Sequence, residues 1–192
     1  MSIVPEFELG LWNAWIFMVA SLLVTILCLL VMGKKGAPSG EEGPRLSKPT
    51  LLFFVVSKFI YFAAVAYSVF LPLKLGTIWF YVGLPITLIG LVGFIVVLVN
   101  WASTPAGEPV TRGLYRYSRH PMYVTSFLLL LGVSIASASW VFLVFPIIEA
   151  TGAVYFIKME EASTLGHYGK AYREYINRTP RWLGIPKSEK KD

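Results

Sequence analysis

Residues 122–157, MYVTSFLLLLGVSIASASWVFLVFPIIEATGAVYFI, decide how this chain folds. The stretch is almost wholly apolar, yet too short to hold two full membrane spans of about 20 residues each and a turn between them. Ser134, Ser137 and Ser139 gather with Ala136 and Ala138 near its middle, where a turn fits best. The reading is two short helices, 122–135 and 140–157, in a tight hairpin that reaches part of the way across a bilayer or thins it locally. A single long broken helix is the alternative. The choice fixes the topology, because a hairpin returns both of its ends to one side.

Working outward, three more apolar runs precede this stretch. Residues 11–32 carry no charge, 51–71 carry one at Lys58, and 78–100 are uncharged and include Gly83, Pro85, Gly90 and Gly93. Each is long enough to cross the hydrocarbon core as a helix, and small residues let such helices approach closely. The first run reads as a retained span, since Glu6 and Glu8 stand where a signal peptide would be basic. The whole chain agrees: 56% of its 192 residues are hydrophobic, 15% are charged, and the mean hydropathy is +0.64. A soluble domain carries about 25% charged residues. The expected fold is one all-α integral membrane domain, residues 1–192, with five transmembrane helices and a cytoplasmic tail, 158–192, that forms an interfacial amphipathic helix.

Loop charges set the orientation. Lys34, Lys35, Arg45 and Lys48 mark the 33–50 connection, Arg112, Arg116 and Arg119 mark 101–121, and the tail is basic. The 72–77 connection holds only Lys74. These segments share the cytoplasmic side if the N-terminus is outside and the C-terminus inside. The same rule accounts for the net charge of +6 and the pI near 9.4, so membrane lipids rather than nucleic acid are the expected surroundings. With one cysteine, Cys28, and two histidines, His120 and His167, no metal site is expected. No H-E-x-x-H helix, G-x-S-x-G elbow or phosphate-binding glycine loop is present. A soluble dinucleotide-binding domain is equally unsupported.

Chemistry-bearing residues concentrate in GLYRYSRHPMY, 113–123, where two arginines, a histidine and three tyrosines crowd beside a hydrophobic boundary, with Arg112 just before them. Part of this is ordinary. Arginines mark the inside, tyrosines the interface, and Pro121 suits a first helical turn. The functional reading is a polar pocket, since arginine holds carboxylates bidentately, histidine donates or accepts, and tyrosine rings face cations. Glu160 and Glu161 open the tail on the same side and add acceptors. Residues 159–177 carry Tyr168, Tyr172 and Tyr175 on one helical face, with tyrosines expected at the headgroup level. Their plainer role is a C-terminal anchor docked on the bundle. Glu149 and Lys58 sit inside predicted spans. Snorkelling explains Lys58, and Glu149 reads either as a structural group or as a functional intramembrane carboxylate.

TRGLYRYSRHPMY, followed after the hairpin by EEASTLGHYGKAYREYINRTPRWLG, resembles the isoprenylcysteine carboxyl methyltransferase family and its phospholipid methyltransferase relatives. The shared pattern is V-T-x-G-x-Y-x-x-x-R-H-P-x-Y, then a hairpin, a Glu pair, F-G-x-x-Y-x-x-Y and a closing V-P. It covers about the last 80 residues, and the five-span size is similar to the small prokaryotic members. The resemblance implies S-adenosylmethionine as cofactor and a lipophilic methyl acceptor, with a carboxylate the leading candidate, entering from the bilayer. It implies cofactor contacts from Glu108, Pro109, Val110, Tyr115, His120, Pro121, Met122, Tyr123 and Glu160, and more weakly from Asn100. Arg119, His120 and Glu160 are the expected catalytic groups. Two departures stand out. Phe156 occupies the position of a substrate-associated arginine, and Tyr168 replaces the usual phenylalanine. The competing expectations are an NADPH-dependent membrane sterol or enone reductase, which shares a similar C-terminal pattern, and a non-enzymatic bundle that binds lipid or a partner.

Overall fold

The computed structural model describes residues 8–35, 48–105 and 107–187. Among them, apart from an isolated bridge between Asn13 and Pro72, all regular structure is helical. The helices are α1 (Trp15–Lys35), α2 (Lys48–Ser68), α3 (Ile78–Ala102), α4 (Pro121–Ala136), α5 (Trp140–Tyr168) and α6 (Lys170–Arg178), with a 3-10 turn at Gly113–Arg116. Glu6, Arg45 and most of the expected 33–50 connection lie outside the described residues, as do the last five residues of the tail.

Among the described residues, two helices, α3 and α5, are long and apolar enough to cross a membrane, while α1, α2 and α4 contain shorter apolar segments. The 16 residues of α4 rise about 24 Å, short of the ~30 Å of a hydrocarbon core. Apolar side chains face outward as well as inward. Leu27, Phe59, Ile89 and Val154 are among the large exposed hydrophobics, the pattern of helices whose outer surroundings are themselves apolar.

The closest packing joins α3 to α4, and glycine makes it possible. A Cβ on Gly90 would stand 2.3 Å from the Leu129 backbone nitrogen, and one on Gly132 would stand 2.3 Å from that of Thr87. The two backbones therefore meet where only hydrogen fits. The Thr87 hydroxyl donates to the Gly83 carbonyl at 2.8 Å inside its own helix, so the seam holds no unpaired hydroxyl there. Val133, Leu129 and Phe142 are buried beside the seam, with Met18 of α1 and Ala64 of α2 in the same cluster.

Backbone hydrogen bonds close one end of the bundle. Ala14 donates to the Leu71 carbonyl (2.9 Å), Leu73 to Trp12 (3.0 Å) and Lys74 to Ala136 (3.0 Å). The Asn13 amide clamps the same corner by donating to the Glu8 carbonyl at 2.6 Å and the Val69 carbonyl at 2.8 Å. The break between α4 and α5 falls at Ser137–Ser139, where serine and alanine cluster in the sequence. Ser139 caps α5 by accepting from the Phe142 amide at 3.1 Å.

The other end differs from expectation. α5 does not stop at Ile157 but runs on to Tyr168, and the helix expected over 159–177 is divided between α5 and α6. Only polarity changes after Ile157. Lys158, Met159, Glu160, Glu161 and Ala162 are good helix formers, so the backbone continues. The break comes at Gly169, whose φ of +54° is a conformation that glycine adopts readily and other residues rarely. Nor do the tyrosines of α6 point toward headgroups. Tyr172 and Tyr175 are buried with Val97 and Tyr115, so the apolar face of α6 is used against the bundle.

Candidate functional site

The end of the bundle opposite the Asn13 clamp gathers the polar residues. Pro121 starts α4 at its first turn and sets His120 at the helix boundary. The segment before it is tied down from the C-terminal side. Arg119 donates its backbone N–H to the Pro180 carbonyl at 3.0 Å, and Gly184 donates to that of Tyr117 at 3.0 Å. The Ser118 hydroxyl donates to the Arg181 carbonyl at 3.3 Å and accepts from the His120 amide at 3.1 Å. From α6, the Tyr175 hydroxyl reaches the Tyr115 carbonyl at 2.7 Å. Loop and tail thus form one structure, although some 60 residues separate them.

Into this frame α5 projects two carboxylates with different surroundings. Glu161, 8% exposed at its side chain, is the centre of an ion cluster. Arg181 grips it bidentately, Nε to Oε1 at 3.1 Å and Nη2 to Oε2 at 2.6 Å. Arg119 Nη1 lies 3.0 Å from Oε1, and His120 Nε2 lies 3.1 Å from the same oxygen. The hydrogen bond to Glu161 holds the Arg181 guanidinium above its ordinary range. Glu160 is 30% exposed, accepts one hydrogen bond from the Tyr123 hydroxyl at 3.1 Å, and stands 4.0 Å from His120 Nδ1. His120 therefore lies between two carboxylates, bonded to one and near the other. Burial, and then the Glu160 carboxylate, push the Tyr115 phenol up. Burial does the same for Tyr172 and Tyr175, so all three stay neutral.

The expected site residues fall into three groups. His120, Tyr123 and Glu160 meet directly, and Tyr115 lies close by. Val110 and Met122 pack against the Tyr115–Tyr172–Tyr175 cluster, and Pro121 is the buried helix start. Asn100, at the end of α3, abuts Gly113, where a Cβ would stand 2.0 Å from its Nδ2. Glu108 is exposed and Pro109 half-buried, on the connection between α3 and the 3-10 turn. The resemblance did not assign Glu161 or Arg181. Consecutive residues on a helix point about 100° apart, so the glutamate pair itself signals two carboxylates facing different partners. Arg181, in the quoted tail motif, offers no such local signal.

The arrangement leaves donors without acceptors. Asn100 Nδ2 and Arg119 Nε are buried and lack a hydrogen-bond partner, a costly condition unless a ligand completes it. Glu160 has acceptor capacity beyond its one bond from Tyr123.

Residues 86–171, from α3 through the end of α5 to the start of α6, match a family model. The match is to the phospholipid methyltransferase family. That family includes the isoprenylcysteine carboxyl methyltransferases, in keeping with the paired sequence motifs. Among curated proteins, none matches the chain. The matched segment contains Asn100, His120, Tyr123, Glu160 and Glu161, while Arg181 lies beyond it. A phospholipid methyltransferase match indicates a methyltransferase, and the apolar helices indicate one integral to a membrane. Methyltransferases of this family generally use S-adenosylmethionine. The residues fit that group: unpartnered amide and guanidinium donors suit its carboxylate and ring nitrogens, and a half-exposed glutamate suits its hydroxyls and cationic centre.

Proposed function

We propose that this protein transfers a methyl group from S-adenosylmethionine to a lipophilic acceptor at the cytoplasmic membrane face, as isoprenylcysteine carboxyl methyltransferases do. The observation that carries the reading is the meeting of His120, Tyr123 and Glu160 inside the family-matched segment, beside two buried donors that lack partners. Asn100, Glu108, Pro109, Val110, Tyr115, His120, Pro121, Met122, Tyr123 and Glu160 would hold the cofactor, which would supply an electrophilic methyl on a sulfonium centre. Glu160 offers a negative charge held in place by Tyr123. Glu161 fixes Arg119 and His120, which leaves Arg119 Nε to meet the ligand. Methylating an ionised carboxylate needs alignment and exclusion of water more than a strong base. The buried tyrosines and the wrapped tail provide both.

The leading acceptor is a lipid-borne carboxylate. An amine headgroup is a second reading, favoured by one observation: Phe156, at the position of the family's substrate arginine, brings no cation to hold a carboxylate. Purified protein in nanodiscs is expected to bind S-adenosylhomocysteine in calorimetry and to pass radioactive methyl from S-adenosylmethionine to lipid. Farnesylcysteine analogues and ethanolamine phospholipids, tested side by side, distinguish the two acceptors. Absence of both cofactor-product binding and lipid labelling would overturn the proposal.

A further inference from the structure

A second polar feature lies deeper in the bundle. A cavity of about 370 Å³ opens between α2 and α5, lined by Val56, Ile60, Tyr61, Leu130, Glu149 and Phe156 among others. Its size falls in the range of small-molecule sites, about 300–1,000 Å³, and its walls are mostly apolar, with Ser57, Tyr61, Glu149 and Thr151 as the polar side chains. Glu149 Oε1 accepts a hydrogen bond from the Ser126 hydroxyl of α4, while Oε2 is buried without a partner. Tyr61 adds a hydroxyl. The Ser21 hydroxyl donates to the Met18 carbonyl at 2.8 Å, so in the 2.6 Å contact between Ser21 and Tyr61 the tyrosine is the donor. The Tyr61 oxygen keeps its capacity to accept.

We infer that this cleft binds a lipophilic molecule through a hydroxyl group that reaches Glu149. A carboxyl oxygen buried beside an apolar cleft without a partner is costly unless one arrives. A hydroxyl serves whether Glu149 is ionised or protonated, because it both donates and accepts. A cationic amine is disfavoured, since Lys58, on the same helix as Tyr61, already places a positive charge that acts on Glu149. The cleft runs along α5 to Phe156, one turn before Glu160. Glu149 lies 11 positions before Glu160, or about 16 Å along the helix axis. Resting on the methyltransferase reading, the occupant is the methyl acceptor itself. Its reacting group lies near Glu160 and its hydroxyl is read about 16 Å away, which makes Glu149 a specificity-determining residue.

The test uses the full chain in nanodiscs and a diazirine-bearing hexadecanol as photolabel, competed with 1-hexadecanol, hexadecylamine or hexadecane. The expected result is labelling of α2 and α5 that hexadecanol displaces at least tenfold better than hexadecane or hexadecylamine. Glu149→Leu should weaken labelling about tenfold, as for one lost buried hydrogen bond. Glu149→Gln, whose amide also donates and accepts, should stay within about threefold. S-adenosylhomocysteine binding, measured on each variant, should be unchanged and reports that the fold is intact. Equal displacement by hexadecane, or full labelling of a folded Glu149→Leu variant, overturns the inference. If wild-type protein fails to bind S-adenosylhomocysteine while the alcohol site stands, the methyltransferase reading falls and only the acceptor role goes with it.

Discussion

Two adjacent glutamates are given opposite tasks by their surroundings. Glu161 is buried against Arg119, Arg181 and His120, and removing it would leave two arginines facing one another. Breaking a buried ion pair from one side costs about 3–5 kcal/mol, so Glu161→Ala is expected to lower the unfolding temperature sharply even without ligand. Thermal denaturation in nanodiscs measures this, and an unchanged midpoint would refute the structural role. Glu160, with a single hydrogen bond from Tyr123 and 30% exposure, should behave the other way. Glu160→Gln keeps an acceptor for Tyr123 and is expected to leave the ligand-free stability within about 1 kcal/mol of wild type. It should weaken S-adenosylhomocysteine binding about tenfold or more, the scale of a lost charge-assisted bond. Much of this site was legible in the chain, because RHPMY and the Glu pair are chemically crowded. The division of labour was not. Which of Glu160 and Glu161 meets the arginines depends on helix phase to within one residue, and the second arginine, Arg181, lies 20 positions further on.

At the scale of elements, glycine decides both where helices touch and where they end. Gly90 meets the α4 backbone so closely that a methyl group has no space. Overpacking costs typically about 1–3 kcal/mol and more where nothing can give, so Gly90→Ala should destabilise the protein by at least that much. Gly166 lies in α5 with nothing within 4 Å of a built Cβ. There the substitution removes the entropic cost of a helical glycine, and Gly166→Ala should stabilise by about 0.5–1 kcal/mol. Chemical unfolding of the two variants side by side measures the difference, and like-signed effects would contradict the packing described. Gly83, Gly90 and Gly93 announced the close seam in the sequence because small residues in an apolar run have few other reasons to recur. The α5–α6 boundary was less legible. The change from apolar to charged after Ile157 looked like an end, whereas helical hydrogen bonding is indifferent to side-chain polarity and breaks only at Gly169.

For the whole molecule, the placement of the two polar ends bears on how the protein sits in its membrane. The Asn13 clamp, the α2–α3 connection and the end of α4 are hydrogen-bonded together, and the Glu160–Glu161 site with its wrapped tail lies at the other end. This is the arrangement expected if the apolar helices each run from one end to the other. Arg112, Arg116 and Arg119 gather at the site end, whereas Lys74 is the one basic residue of the α2–α3 connection. Under the positive-inside rule, the proposed orientation has the site in the cytoplasm and Leu75 outside. Leu75 and Lys187 are both exposed, and Cys28 is the chain's single cysteine, so the orientation is open to direct labelling. In a Cys28→Ser background, Leu75→Cys should react with a membrane-impermeant maleimide on intact cells. Lys187→Cys should react only after permeabilisation. The reverse pattern would turn the molecule over and place the site outside, away from the cytoplasmic supply of S-adenosylmethionine. Labelling of both from the same side would mean that an odd number of crossings does not separate them, and the five-span arrangement would fail with it.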